Sequence, residues 1–213
     1  MVRRRTKLVF QFYPEGKEDD DPQYECDVSC LRCEARSSGG GRCKNRTCLS
    51  LPFCWIHTRQ KYNVKVAVSG IPNAGKGLFA FLSPRERRAR GQGLRDRPVF
   101  RPREWIAPIT GDLKPLQEIN DSYEPHTAPY GIRKNAREGF DGACNRTIGH
   151  TANTHRNRRR LNANIADRRG NDNEGYVMWL RATRNINDGD EVFVDYGDDY
   201  EFDASYKYAR KRV

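Results

Sequence analysis

The sequence predicts a mainly β protein with a small cysteine-rich module ahead of it. Three observations predict this. Six of the seven cysteines fall between residues 26 and 57. From Val64 onward, short runs of alternating apolar residues are separated by Gly, Pro and Asn turns, which is a strand pattern. Helical periodicity is scarce over the same stretch.

Residues 1–25 read as an N-terminal arm. Lys7 to Tyr13 predicts a strand that Pro14-Glu15-Gly16 ends, and an acidic run, Glu18 to Asp21, follows. Residues 26–60 form the cysteine module, with candidate ligands Cys26, Cys30, Cys33, Cys43, Cys48, Cys54 and His57. A chain inside the cell keeps thiols reduced. Zinc prefers thiolate and imidazole in a tetrahedral site, and the Cys-x-x-Cys and Cys-x-x-His pairs each bring two ligands onto one turn. Gly39-Gly40-Gly41 supplies a reversal between early and late ligands. So short and polar a segment cannot build an apolar core, and a metal would replace one. Seven candidates exceed the four that one zinc needs, so either some are spare or two zincs share a bridging thiolate. The first choice for one structural zinc is Cys33, Cys43 or Cys48, Cys54 and His57. A disulfide knot in a secreted chain and unliganded thiols are the competing readings. Cys144 stands apart and reads as packing.

Residues 61–202 carry the strands. Val64, Val66 and Val68 alternate. Residues 83–103 read as an exposed arginine-rich loop bounded by prolines. Gly75-Lys76-Gly77 precedes the apolar run Leu78-Phe79-Ala80, and glycines there admit close backbone approach. The spacing matches neither phosphate-loop nor dinucleotide fingerprints. Near the end, Asp188-Gly189 turns the chain into an alternating strand that closes on Tyr196-Gly197. Residues 203–213 are a basic C-terminal tail.

Composition narrows the partners. The net charge is +11 and the arginines cluster at 3–5, 85–103, 156–160 and 168–169. Such clusters attract a polyanion such as a nucleic acid, or else are solvated surface. No apolar run is long enough to span a membrane and no signal peptide is visible, so an intracellular protein is expected.

Three blocks carry a resemblance: Gly75 to Ala80, Arg146-Thr147-Ile148-Gly149-His150-Thr151, and Ile186 to Gly197. In that order they resemble the SET domain of protein lysine methyltransferases. The stretch from Cys33 to His57, ending Cys54-Trp55-Ile56-His57, also resembles a small zinc-binding module. The first resemblance implies small β-sheets around a C-terminal pseudoknot, S-adenosylmethionine as cofactor, and a protein substrate, most simply histone or nucleosome, in the nucleus. It implies that Lys76, Gly77, Leu78, Tyr130, Arg146, Gly149, His150, Tyr196 and Tyr200 line the cofactor, with Tyr196 and Tyr130 in catalytic positions. Methyl transfer needs a neutral lysine amine held in line with its donor, and a tyrosine hydroxyl with carbonyl oxygens can hold that line. His150 would orient the pocket, and Asp195 would be structural or solvent-facing.

The chain departs from the family pattern at several places. Ile109 stands where a tyrosine is common, and Gly149 replaces an asparagine. The Pro-Asn partner is shifted past an arginine-rich insertion to Leu161-Asn162-Ala163. Val194 is smaller than the family's Phe or Tyr, which points to higher methylation states. A catalytically inactive SET-like binding module and a zinc-containing nucleic-acid or chromatin binder are the alternative functions.

Overall fold

The computed structural model describes residues 5–10, 24–37, 39–47, 51–72, 74–90, 97–123, 130–168 and 178–197. The acidic run, Cys48, Tyr200 and the basic tail lie outside them, and of Cys26 only the backbone is described. The architecture is mainly β. In chain order the elements are β1 (Arg5–Phe10), β2 (Tyr24–Ser29), β3 (Leu31–Arg32), β4 (Arg46–Thr47), α1 (Trp55–Tyr62), β5 (Val64–Val68), β6 (Lys76–Ala80) and α2 (Pro84–Arg90). They continue with β7 (Trp105–Ile109), β8 (Asp112–Pro115), α3 (Leu116–Tyr123), β9 (Gly131–Arg133), β10 (Glu138–Asp141), β11 (Ala163–Asp167) and β12 (Met178–Ala182). They belong to two compact units, residues 1–55 with 110–147, and residues 56–109 with 148–213. No described helix is long and apolar enough to cross a membrane.

The first unit holds three small antiparallel sheets. β1 pairs with β2, β3 with β4, and β10 lies between β8 and β9. The strand expected in the arm is present as β1. Gly111 allows the turn into β8 to pass close to β10, since a Cβ there would meet the Asp141 carbonyl oxygen at 2.7 Å. Lys114 pairs with the buried Asp141 at 2.9 Å, and that bond holds the lysine's pKa above its usual value.

In the second unit β5 and β6 form an antiparallel hairpin in the register Val64↔Ala80, Val66↔Leu78, Val68↔Lys76. A three-stranded sheet runs β11-β12-β7. Its pairing sorts side chains between two faces, because residues opposite each other share a side. Leu180 faces Ala107 and Ile165 on one apolar side, where Leu180 and Ala107 are buried and Ile165 half-buried. Trp179 faces Pro108 and Ala166 on the other side. The register then shifts at Leu180/Arg181, so that Trp105 stands opposite Arg181 and joins Trp179 on that second face. A bulge of this kind re-aims one side chain.

The closing segment completes the unit. The Val192 N–H donates to the Leu78 carbonyl at 2.7 Å, on the β6 side. On the other side Val194 N–H donates to Asn153 (2.9 Å) while Asn162 and Ala163 N–H groups donate to Phe193 (3.0 Å each). Both contacts with 153 and 163 are parallel bridges. Residues 191–194 are thus clasped between β6 and two stretches that precede them by 30 to 40 residues. Val192, Val194 and Ile186 are buried there.

The described parts of 83–103, residues 83–90 and 97–103, depart from the exposed loop expected of them. α2 begins at Pro84 because Ser83 and Glu86 form a capping box. The Glu86 N–H donates to Ser83 Oγ (3.2 Å) and the Ser83 N–H to Glu86 Oε2 (2.8 Å), satisfying two N–H groups that a helix start leaves orphaned. Proline at the first helical position lacks such a group. Val99 and Phe100, further along, are buried.

Candidate functional site

The cysteine module converges on four ligands. The β3–β4 pairing and a turn at Gly40 (φ +80°) fold the early segment back, with Arg36 bridging Arg42. This places Cys33 and Cys43 beside Cys54, and α1 presents His57 three residues on. The ligand atoms of Cys33, Cys43, Cys54 and His57 all lie within 4.8 Å of one another. Cys43 Sγ and Cys54 Sγ are 4.0 Å apart. A tetrahedral zinc with Zn–S of about 2.3 Å sets its sulfurs about 3.8 Å apart, so the donor set fits zinc.

Amide groups donate to the sulfurs. The Cys54 N–H donates to Cys33 Sγ (3.1 Å), Asn45 N–H to Cys43 Sγ (3.4 Å) and Asn45 Nδ2 to Cys54 Sγ (3.6 Å). The Asn45 bond pulls the Cys43 thiol pKa down, yet burial and the Cys54 and Cys33 thiols leave it raised overall. Three thiols this close resist ionising together, and a cation between them removes that resistance.

Cys30 and Cys144 are each disulfide-bonded. Cys30 therefore stands outside the ligand set, and Cys144 has a covalent role where packing was expected. A sulfur already shared with another sulfur has no thiolate to offer a metal. Cys26 and Cys48 cannot be placed beside the cluster from the described residues.

The tyrosine expected to act on the substrate is Tyr196. It is exposed, and its hydroxyl donates to the Ala152 carbonyl at 2.6 Å. Ala152 follows a 3₁₀ turn, Ile148–Thr151, in which Gly149 and His150 are buried. Asp195 accepts the Gly197 N–H at 2.9 Å and faces solvent, a structural role. Tyr130 and Arg146 are brought together with each other in the first unit. The Arg146 guanidinium lies 4.3 Å over the Tyr130 ring and donates to the Ala143 carbonyl. Burial works against its charge and the tyrosine offsets part of that. Tyr130 itself takes a left-handed backbone (φ 57°).

Two glycines prove to be there for packing within the protein. A Cβ at Gly77 would collide with Glu191 Oε1, so the space where a side chain would stand is held by a carboxylate. A Cβ at Gly149 would meet the Pro108 carbonyl oxygen at 2.4 Å and Ile109 Cγ1 at 2.8 Å. The two departures noted in the sequence, Gly149 and Ile109, thus fill one another's space. Gly149→Asn should therefore destabilise the fold by about 2–3 kcal/mol, as overpacking does. A urea midpoint equal to the parent's would show that β7 yields freely.

Sequence reasoning missed Glu191 and Asn153. Glu191 is buried and accepts from Ser69 Oγ (2.7 Å), Gly70 N–H (2.8 Å) and Asn153 Nδ2 (3.2 Å). Asn153 Nδ2 also donates to the Lys76 carbonyl at 3.1 Å. Together they tie the start of β6, the stretch after His150 and the closing segment. The one available signal was an acidic residue at an inward position of an alternating strand. Asn162, read as the shifted partner, is buried and brackets the strand. It donates to the Glu191 carbonyl and accepts from the Phe193 N–H, both at 2.8 Å.

His155 adds a pH response. Its ring packs edge-on to Phe193 at 5.3 Å, and Nδ1 accepts the Asn157 N–H at 3.0 Å. Burial first, then Arg160, push its pKa below the usual 6.5. A histidine depressed in the fold contributes stability that is full above about pH 6.5 and is lost as pH falls through the folded value. Urea midpoints at pH 7.5 and 5.5 should therefore fall more steeply in the parent than in His155→Asn. Equal slopes would remove His155 from the acid response.

No protein-family model matches the chain, and no curated protein matches it. Among solved structures, one similar chain comes from the structure of ctPRC2 in complex with H3K27me3 and H3K27M. It is 18% identical over 68% of this chain, with a TM-score of 0.45, and the match spans only 16% of that chain. Another is the methyltransferase domain of human PR domain-containing protein 2. It is 13% identical over 68% of this chain and 86% of that one, with a TM-score of 0.43. At such scores neither neighbour bears on the role of any residue here.

Proposed function

We propose that this chain transfers a methyl group from S-adenosylmethionine to a lysine side chain of a protein. The observation that carries the reading is the Tyr196 hydroxyl held by the Ala152 carbonyl at 2.6 Å. It stands where the sequence resemblance places the substrate-orienting tyrosine. A tyrosine oxygen at an exposed position beside a carbonyl oxygen suits a methyl group on a cationic sulfonium, whose C–H bonds such oxygens accept. The cofactor supplies that electrophilic methyl.

The chain's own residues supply orientation. Because Tyr196 spends its proton on Ala152, its oxygen presents lone pairs. A substrate amine can donate an N–H to them, which fixes the direction of the nitrogen lone pair. Alignment of this kind is worth orders of magnitude in rate. The ammonium must lose its proton first. Tyr196 is exposed, so solvent there can take that proton. By resemblance Lys76, Gly77, Leu78, Tyr130, Arg146, His150 and Tyr200 would line the cofactor. Gly149 would serve only through its backbone, since the space for a side chain is occupied. A zinc held by Cys33, Cys43, Cys54 and His57 would be structural. By resemblance the substrate is a histone or nucleosome, and the chain is chromatin-associated.

The packing at Gly149 favours one alternative, a SET-like binding module without turnover. Incubation with radiolabelled S-adenosylmethionine, core histones, nucleosomes and mixed cellular protein separates the two, with calorimetry for cofactor binding. Label on a lysine supports the enzyme. Cofactor binding without label supports the module, and neither result excludes both.

A further inference from the structure

A cavity of about 650 Å³ lies in the second unit, and none of the candidate metal or methyl-transfer residues lines it. Its size is that of a small-ligand pocket. One wall is the Trp105–Trp179 face of the β11-β12-β7 sheet. The two rings meet edge-on at 6.4 Å. The Arg168 guanidinium covers Trp179 at 4.3 Å, while the half-buried Trp105 has the Arg168 and Arg181 guanidiniums 5.7 and 5.5 Å from its ring centre.

The lining is cationic. Lys61, Arg103 and Arg168 contribute positive charge, against Glu104, whose carboxylate accepts the Arg101 N–H at 2.8 Å. Burial pushes the Lys61 ammonium below its usual pKa, a penalty that a bound anion would offset.

The backbone here is unusual. Asn63 (φ 52°) and Arg103 (φ 75°) both line the cavity in left-handed conformations. Asparagine tolerates that region, but arginine there is held against its preference. Such strain persists where the surroundings fix it and gathers at binding sites. The Arg103 N–H is pinned to the Ala182 carbonyl at 2.8 Å.

A half-buried indole and a cationic rim call for a flat ligand that carries negative charge. We propose that this cavity binds a nucleotide of a single-stranded nucleic acid, the base against Trp105 and the phosphate against Arg103 and Lys61. Paired bases in a duplex are stacked and cannot enter. An acidic peptide would satisfy the cations but offers no ring to Trp105.

The test is fluorescence anisotropy with the full chain, at matched salt, using a labelled single-stranded 12-mer and a hairpin duplex. Trp105→Ala should weaken single-strand binding about tenfold and leave the duplex unchanged. Arg103→Gly removes the charge and relieves the backbone, so it should weaken single-strand binding several-fold while Tm stays level or rises. Its effect cannot be laid to misfolding. Neutralising Arg158, Arg159 and Arg160 to glutamine should weaken both ligands alike, as charge alone does. The proposal is overturned if both cavity variants bind the single strand as the parent does, or lose duplex binding equally. Competition as strong by a free nucleoside monophosphate would overturn the strand as ligand. Competition as strong by polyglutamate would overturn the nucleotide.

Discussion

Tyr196→Phe should lower the rate of methyl transfer about 10²-fold, leaving the fold and cofactor affinity near parental. The hydroxyl donates to the Ala152 carbonyl, and the residue is exposed. Losing such a bond costs about 1 kcal/mol or less, a Tm change of a few degrees. The two effects separate cleanly. A variant with parental Tm and a collapsed rate identifies orientation of the amine. A variant that methylates as fast as the parent would reduce Tyr196 to a strand-end aromatic. The loss should lie in kcat under saturating substrate, because the hydroxyl aligns the reacting nitrogen rather than holding the peptide.

Removing metal should have the largest effect on structure. A strong chelator should take one zinc per chain and unfold residues 33–57. Structural zinc contributes about 10–16 kcal/mol of apparent binding energy in small fingers at pH 7. The segment has little else. Among its described residues the buried apolar side chains are Cys33, Leu51 and Cys54, two of them proposed ligands. Cys33→Ser should reproduce the chelator's effect. Acid should as well, since protons compete for thiolate and imidazole. Reductant alone should leave the metal count at one while it opens the disulfides at Cys30 and Cys144. Elemental analysis with circular dichroism reads all of this. Two metals per chain would show that further cysteines ligate, and none would return the cluster to unliganded thiols.

Parts of this molecule were legible in the chain. The alternation of Val64, Val66 and Val68 gave β5, because period two is a property of backbone geometry alone. The narrowing of seven ligands toward Cys33, Cys43 or Cys48, Cys54 and His57 rested on spacing, since Cys-x-x-His must share a turn. Ser83-Pro84-Arg85-Glu86 also held its own answer. The capping box was present, but the density of arginine hid it, and charge says little about helix starts.

Other features are relations between residues far apart. Gly149 is visible as a glycine, yet only packing against Pro108 and Ile109 explains why no side chain fits. Glu191 looks like any strand carboxylate until Ser69, Gly70 and Asn153 surround it. Trp105 joins Trp179 only because the sheet register slips by one residue. The sequence by itself determined the local geometry: strand period, turns, the helix cap and the spacing of ligands. Tertiary structure alone decided which distant groups share a site, because burial, register and close approach depend on where other segments come to rest.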